Sequence, residues 1–257
     1  MLLAIDIGNS TIYFGGIVDG EIKKTFRLST EKNKISDEYV ISIKNLLEKN
    51  FNIKDITGVI ISSVVPEITR EIEEAIYKIL NIKAMVVKRD INAPFKIIAE
   101  SLSDLGADLI ANSTGAMAKY TLPIMMFDMG TATTCTVINS EGVFCGGMIC
   151  PGLKTGAKAL IGNASQLGEF SIGNPKQAVE VKTTQCINSG VIYGHSAMIN
   201  GLKKRVEEET KEKYTVLITG GNSDYVIEYI DKDIVQDKNL IFYGLNELYK
   251  KHLNEGV

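Results

Sequence analysis

Apolar residues along the chain recur in two rhythms. Leu2 to Ile5, Ile12 to Val18, Val59 to Val65, Met85 to Val87, Ile124 to Phe127 and Thr215 to Ile218 are short apolar runs of strand length. Other stretches repeat apolar positions every three or four residues, which predicts amphipathic helices. These are Asp37 to Lys49 (Val40, Ile43, Leu46, Leu47), Glu67 to Leu80, Ala107 to Ala118, Ser196 to Lys213 and Leu240 to Leu253. Asp19-Gly20 separates Ile12–Val18 from a further strand, Glu21 to Leu28, and is a strong hairpin signal. Strands alternating with helices predict an α/β architecture.

The pattern also echoes itself. The first run ends in Asp6-Ile7-Gly8-Asn9-Ser10-Thr11, and Ile124 to Phe127 ends in Asp128-Met129-Gly130-Thr131-Ala132-Thr133-Thr134. Each aspartate is followed 14 positions later by a turn glycine, Gly20 and Gly142, and the two copies lie 122 residues apart. A repeated supersecondary unit predicts duplicated lobes, 1–117 and 118–257, with the cleft between them as the favoured ligand site. No Pro/Ser/Gly-rich linker separates the halves.

Composition narrows the chemistry. The chain has 257 residues, 45% of them hydrophobic, and 28 basic against 31 acidic side chains. This suffices for a buried core and gives no basic surplus for nucleic acid, so no nucleic-acid partner is expected. His195 and His252 are the two histidines, too few for a multi-histidine metal site. Cys135, Cys145, Cys150 and Cys186 show no CxxC spacing and read as reduced thiols of a cytoplasmic protein. Asp6 interrupts the apolar start, and the low-charge stretch 129–153 contains Glu141 and several glycines. Neither an export signal nor a membrane span is expected.

Two Asp-x-Gly-polar turns at strand ends suit phosphates. Glycine permits close backbone approach, the hydroxyls of Ser10, Thr11, Thr131, Thr133 and Thr134 can donate, and turn amides can cradle an anion. An aspartate there can hold Mg²⁺ through water. A third turn, Thr219-Gly220-Gly221-Asn222, follows a later strand and offers bare backbone against which a flat adenosine can lie. There is no Walker A sequence, no Gly-x-Gly-x-x-Gly after a strand and no Gly-x-Ser-x-Gly. An ATP-dependent phosphotransferase of duplicated, ribonuclease H-like construction remains.

In that order the turns resemble the phosphate and adenosine motifs of the acetate kinase/sugar kinase/Hsp70/actin superfamily. Over nearly its whole length the chain resembles type III pantothenate kinases. The matching segments are Asp6 to Thr11, Leu105-Gly106-Ala107-Asp108, Asp128 to Thr134, Gly146 to Gly152, Thr183 with Ser189-Gly190, and Tyr243-Gly244-Leu245. The resemblance implies ATP-dependent phosphorylation of pantothenate to 4'-phosphopantothenate, the first step of coenzyme A biosynthesis, by a homodimer. It implies Asp108 as general base and ATP contacts from Asp6, Ile7, Gly8, Asn9, Ser10, Thr11, Ile12, Tyr13 and Thr131, with Gly220 and Gly221 at the adenosine turn. It further implies Gly106, Ala107, Leu109 and Thr183 facing pantothenate and Asp128 binding K⁺ or NH₄⁺, while the strand-end position of Asp6 suits it to hold Mg²⁺ through water. The family's usual Gly-x-Asp-Arg is Gly-Ala-Asp-Leu here, Ser101-Leu102 replace an Asn-Pro, and Ala99 stands near a Tyr position. The same phosphate turns would also serve an ATP-binding regulator or a kinase for another small acceptor. Asp108 by itself also fits an ordinary first-turn helix aspartate.

Overall fold

The computed structural model describes residues 1–87, 93, 95–97, 105–162 and 171–255; Ala99, Ser101 and Leu102 lie outside them. The chain divides into two compact units, Met1–Lys119 with Asn239–Val257, and Tyr120–Lys238.

In unit 1, β1 (Leu2–Ile7), β2 (Thr11–Val18) and β3 (Glu21–Ser29) form an antiparallel meander. β4 (Gly58–Ser63) and β5 (Met85–Val86) add in parallel, giving the order β3-β2-β1-β4-β5. A further two-residue strand, β6, covers Lys96–Ile97. The Asp19-Gly20 hairpin forms, with both residues at positive φ (53° and 80°), as a tight two-residue loop requires. Alternation along β1 and β4 turns Leu3, Ile5, Ile7, Val59 and Ile61 toward α1 (Ser36–Asn50) and α2 (Pro66–Leu80). There they meet Tyr39, Ile43, Leu47, Ile68, Ile72 and Ile76. Pro66 starts α2, where its missing N–H costs nothing, and Asn81 stops it in the left-handed conformation.

The opposite face of this sheet is covered by two helices far apart in sequence, α3 (Ala107–Lys119) and α6 (Leu240–Glu255). Glycines make that possible. A Cβ on Gly244 would stand 1.7 Å from the Ala111 carbonyl, and one on Gly115 would stand 2.3 Å from the Leu240 carbonyl. On the sheet, Gly15 sits under the Phe242 ring and Gly58 under Tyr249. The sequence boundary had put α6 in a lobe spanning 118–257, whereas these contacts assign it to unit 1.

Unit 2 repeats the plan. β7 (Ile124–Met129), β8 (Ala132–Ile138) and β9 (Val143–Pro151) are an antiparallel meander, and β10 (Thr215–Thr219) and β11 (Val235–Gln236) add in parallel, so these strands run β11-β10-β7-β8-β9. Met125, Phe127, Met129, Val216 and Ile218 pack on Leu153 of α4 (Leu153–Gly162) and on Ile192 and Ile199 of α5 (Thr183–Thr210). α5 begins 13 residues before the predicted Ser196. Its buried stripe runs Ser189, Ile192, Ser196, Ile199, Lys203, and the two serines and the lysine hide that stripe from a hydrophobicity count. Ser196 is satisfied within the helix, its hydroxyl donating to the Ile192 carbonyl (2.8 Å).

Candidate active site

In unit 1 the parallel strands β1 and β4 end at one edge, where α3 begins. In open α/β sheets this carboxyl edge is where ligands bind. Asp6 is half-buried, next to last in β1, paired with Tyr13 on β2 and Ser62 on β4. The turn that follows is closed by its own backbone: Gly8 N–H donates to the Thr11 carbonyl (3.0 Å), and Thr30 Oγ1 donates to the Gly8 carbonyl (2.6 Å). The Gly8 amide is therefore engaged inside the turn. Asn9 and Ser10 are exposed at its tip. Ile7 and Ile12 are fully buried in the core, so they can meet a ligand through backbone alone. Tyr13 is turned inward: its hydroxyl donates to Asn239 Oδ1 (2.9 Å), its ring lies against Phe242, and the Arg27 guanidinium sits 3.6 Å from the ring centroid.

Gly106 to Leu109 stand at the same edge, a Cβ on Gly106 falling 3.5 Å from Val64 just beyond β4. Asp108 lies in the first turn of α3. Its carboxylate folds back over the chain, and a Cβ on Gly106 would come within 2.4 Å of Oδ1. Glycine at 106 is thus what allows this rotamer, and Leu109 N–H then donates to the same oxygen (2.8 Å). Burial pushes the Asp108 carboxyl above its ordinary value of 3.8, and the amides of Leu109 and of Asp108 itself oppose that rise without cancelling it. A carboxylate made more basic by partial desolvation, at a ligand-binding edge, is suited to accepting a proton. Ala107 is buried and Leu109 half-buried beside it.

The unit 2 edge is built alike. Asp128 pairs with Thr134 and Thr219, and Gly130 N–H closes the turn onto the Ala132 carbonyl (2.9 Å). Asn222 clamps it, backbone N–H to the Met129 carbonyl (3.0 Å) and side-chain amide to the Gly130 carbonyl (2.9 Å). Thr155 Oγ1 donates to the Thr131 carbonyl (2.6 Å), and Gly152 passes so close that a Cβ would lie 2.2 Å from that oxygen. Gly220 adopts φ +86° with its Cα against Asp128 and Met129, whereas Gly221 faces open space. The structure therefore brings Asp128, Thr131, Gly220 and Gly221 into one cluster. Thr183 opens α5 in this unit with an exposed side chain. Sequence reasoning missed Ser62, Thr30 and Thr155. For Ser62 a signal existed: a hydroxyl pair, Ser62-Ser63, interrupts the apolar run Val59 to Val65 at its carboxyl end.

The donor set fits Mg²⁺ carried on a nucleotide. It offers the carboxylates of Asp6 and Asp108 at one edge and of Asp128 at the other, with hydroxyl oxygens at each, and among the described residues no three His, Cys, Asp or Glu side chains cluster as a self-sufficient metal cage.

Two sheets of one topology, each with an aspartate at the end of its first strand and a glycine turn after it, define the actin-like ATPase and sugar-kinase fold. Among solved structures, a protein assigned to the Baf family of transcriptional activators from Campylobacter jejuni matches with a TM-score of 0.60 at 21% identity, covering 98% of this chain and 99% of that one. The (R)-2-hydroxyglutaryl-CoA dehydratase component A of Acidaminococcus fermentans matches with a TM-score of 0.56 at 14% identity, covering 97% and 98%. The sequence profile of type III pantothenate kinase matches residues 2–205. A type III pantothenate kinase of Acholeplasma laidlawii is 38% identical over 253 residues, 98% of this chain and 100% of that protein. The chain belongs to the type III pantothenate kinase family.

Proposed function

We propose that this protein transfers the γ-phosphoryl group of ATP to the primary hydroxyl of pantothenate, giving 4'-phosphopantothenate and ADP in the cytoplasm as the entry to coenzyme A biosynthesis. The observation that carries this reading is the half-buried, more basic Asp108 carboxylate, folded over Gly106 at the ligand-binding edge of a chain in this family. The Asp108 carboxylate takes the hydroxyl proton as the pantothenate oxygen attacks the γ-phosphorus. The bond from that phosphorus to the β,γ-bridging oxygen breaks, and ADP leaves. Gly106, Ala107 and Leu109 border Asp108 and would line the acceptor subsite, with Thr183 contributing from α5. The turn from Asp6 to Thr11 and Thr131 would hold the phosphates, with Ile7 and Ile12 acting through backbone, Tyr13 bracing β2 from behind, and Gly220-Gly221 lying against the base. Asp6 would bind Mg²⁺ through water and Asp128 a K⁺ or NH₄⁺ ion. When bound, these cations neutralise phosphate charge as it develops.

A second copy of the chain completes the protein in this reading. In its support, Val179 and Val181 are 83% and 92% exposed immediately before α5, two bare aliphatic side chains beside Thr183. The test is phosphorylation of pantothenate by the purified protein with Mg·ATP and K⁺. Asp108→Asn should lower kcat by about 10²–10⁴-fold while ATP still binds. Wild-type ATP binding without pantothenate turnover would defeat the reading and favour a different acceptor.

A further inference from the structure

Ser62 is fully buried, and its hydroxyl makes no hydrogen bond. Such a group is uncommon in a folded protein and calls for a cause. Its surroundings supply one. Gly58 of the same strand lies under Tyr249 of α6, while Val59 and Ile61 face α1 and α2. Strand alternation therefore turns Ser62 to the α3/α6 side. By the same alternation Asp6, between Ile5 and Ile7 of the α1/α2 core, faces that side too. The two are direct partners in the parallel register, so the hydroxyl and the carboxylate stand side by side at the carboxyl edge.

The second unit repeats the arrangement independently. Thr219 is 3% exposed and is the parallel partner of Asp128, as Ser62 is of Asp6. Both copies of the fold thus put a buried hydroxyl residue beside the strand-end aspartate. Valine would suit a central parallel strand as well or better if packing were the sole demand.

We infer that Ser62 is a positioning residue for Asp6: its spare hydroxyl donates to the oxygen network that Asp6 organises around the metal-bound phosphates, fixing the carboxylate when Mg·ATP enters. Thr219 plays the matching part for Asp128. The inference rests on the reading above that Asp6 serves the Mg²⁺–phosphate end of ATP.

Calorimetric titration of Ser62→Ala with Mg·ADP and with Mg·AMPPNP tests this, alongside Asp6→Asn. Losing one hydrogen bond to a charged group should weaken Mg-nucleotide affinity roughly 10–150-fold. In EDTA the difference from wild type should shrink to less than about twofold, because the effect runs through the metal side. The thermal midpoint should stay level or rise, since an unsatisfied buried hydroxyl has been removed. Unchanged Mg-nucleotide affinity in Ser62→Ala, with affinity lost in Asp6→Asn, would overturn the inference and leave the nucleotide site standing. An equal loss with and without Mg²⁺ would also overturn it. Unchanged affinity in Asp6→Asn would instead remove the reading beneath it. Should Ser62→Ala not fold, Ser62→Cys, close in size but a weak donor, carries the same comparison.

Discussion

Gly220 and Gly221 are adjacent, yet the structure assigns them opposite responses to a single methyl group. At Gly220 the backbone is left-handed (φ +86°), and an added Cβ would lie 2.4 Å from Asp128 Oδ1, 2.6 Å from the Met129 nitrogen and 2.7 Å from its carbonyl carbon. The Met129 atoms belong to a central strand pinned by Thr133 on one side and Asn222 on the other, so no side-chain rotation relieves the overlap. The left-handed conformation costs about 1–2 kcal/mol for a residue with a Cβ. Forcing a methyl into packed surroundings adds about 1–3 kcal/mol. Gly220→Ala should therefore destabilise by about 2–5 kcal/mol, which for a chain of this size lowers the thermal midpoint by roughly 4–20 °C. Gly221 has no atom within 4 Å of its virtual Cβ and no positive φ, so Gly221→Ala should leave the midpoint within about 2 °C. If a nucleotide lies on this backbone, the Gly221 methyl meets the ligand instead, and ATP affinity should fall with stability intact. Differential scanning fluorimetry with and without ATP reads both effects. Equal midpoints for the two variants would refute the geometric argument, and unchanged ATP affinity in Gly221→Ala would refute the adenosine reading of this turn.

Other outcomes follow from the same geometry. Asp108 has a raised folded-state pKa, so the native state holds its proton longer than the unfolded chain. Stability falls as pH rises from about 3.8 through the raised value and stays lower above it. Asp108→Asn keeps an acceptor for the Leu109 amide and removes that cost. It should be about 10²–10⁴-fold slower yet more stable than wild type at pH 7, with the stability advantage vanishing below about pH 3.5, as urea titrations across pH would show. Leu109→Arg sets a cation beside Asp108 and should move the acidic limb of the kcat/KM profile for pantothenate to lower pH; an unmoved limb would remove Asp108 as the group being titrated. Burial pushes the Cys135 thiol up to about 12, with nearby Cys150 adding to the rise, while Cys145 and Cys186 are exposed. Iodoacetamide at pH 8 should label the latter two within minutes and spare Cys135, as peptide mass spectrometry would reveal.

The duplication was legible in the sequence because its signal is local: an aspartate, a glycine two residues on and a hairpin turn. Helices α1 and α2 were legible for the same reason, since apolar stripes of Ile and Leu repeat without interruption. The first half of α5 was not. Its inward positions include Ser189 and Ser196, which a hydrophobic count reads as surface, and only packing against the sheet shows them buried. The docking of α6 was equally hidden, because nothing in a helix's own pattern names the sheet it will cover. Gly115 and Gly244 were visible as residues, but their meaning, a contact too close for any side chain, required both helices in place. For the candidate site, the aspartates and turn glycines could be read directly. Ser62 needed the strand register, because a serine beside a valine run looks like the end of a strand until its neighbour is known to be Asp6.

Because α6 closes unit 1, the order in which the protein is made differs from the order in which its parts can be finished. Residues 120–238 form a continuous stretch with its own core, whereas the first 119 residues lack the helix that covers Gly15, Gly58 and Gly115 until residues 239–255 emerge. On a ribosome the later unit can consolidate first, and the earlier one must keep the α6 part of one sheet face uncovered through the synthesis of more than a hundred residues. A chain ending at residue 238 would thus present a finished second unit and a first one with its sheet face only partly covered, the species on which a chaperone would act.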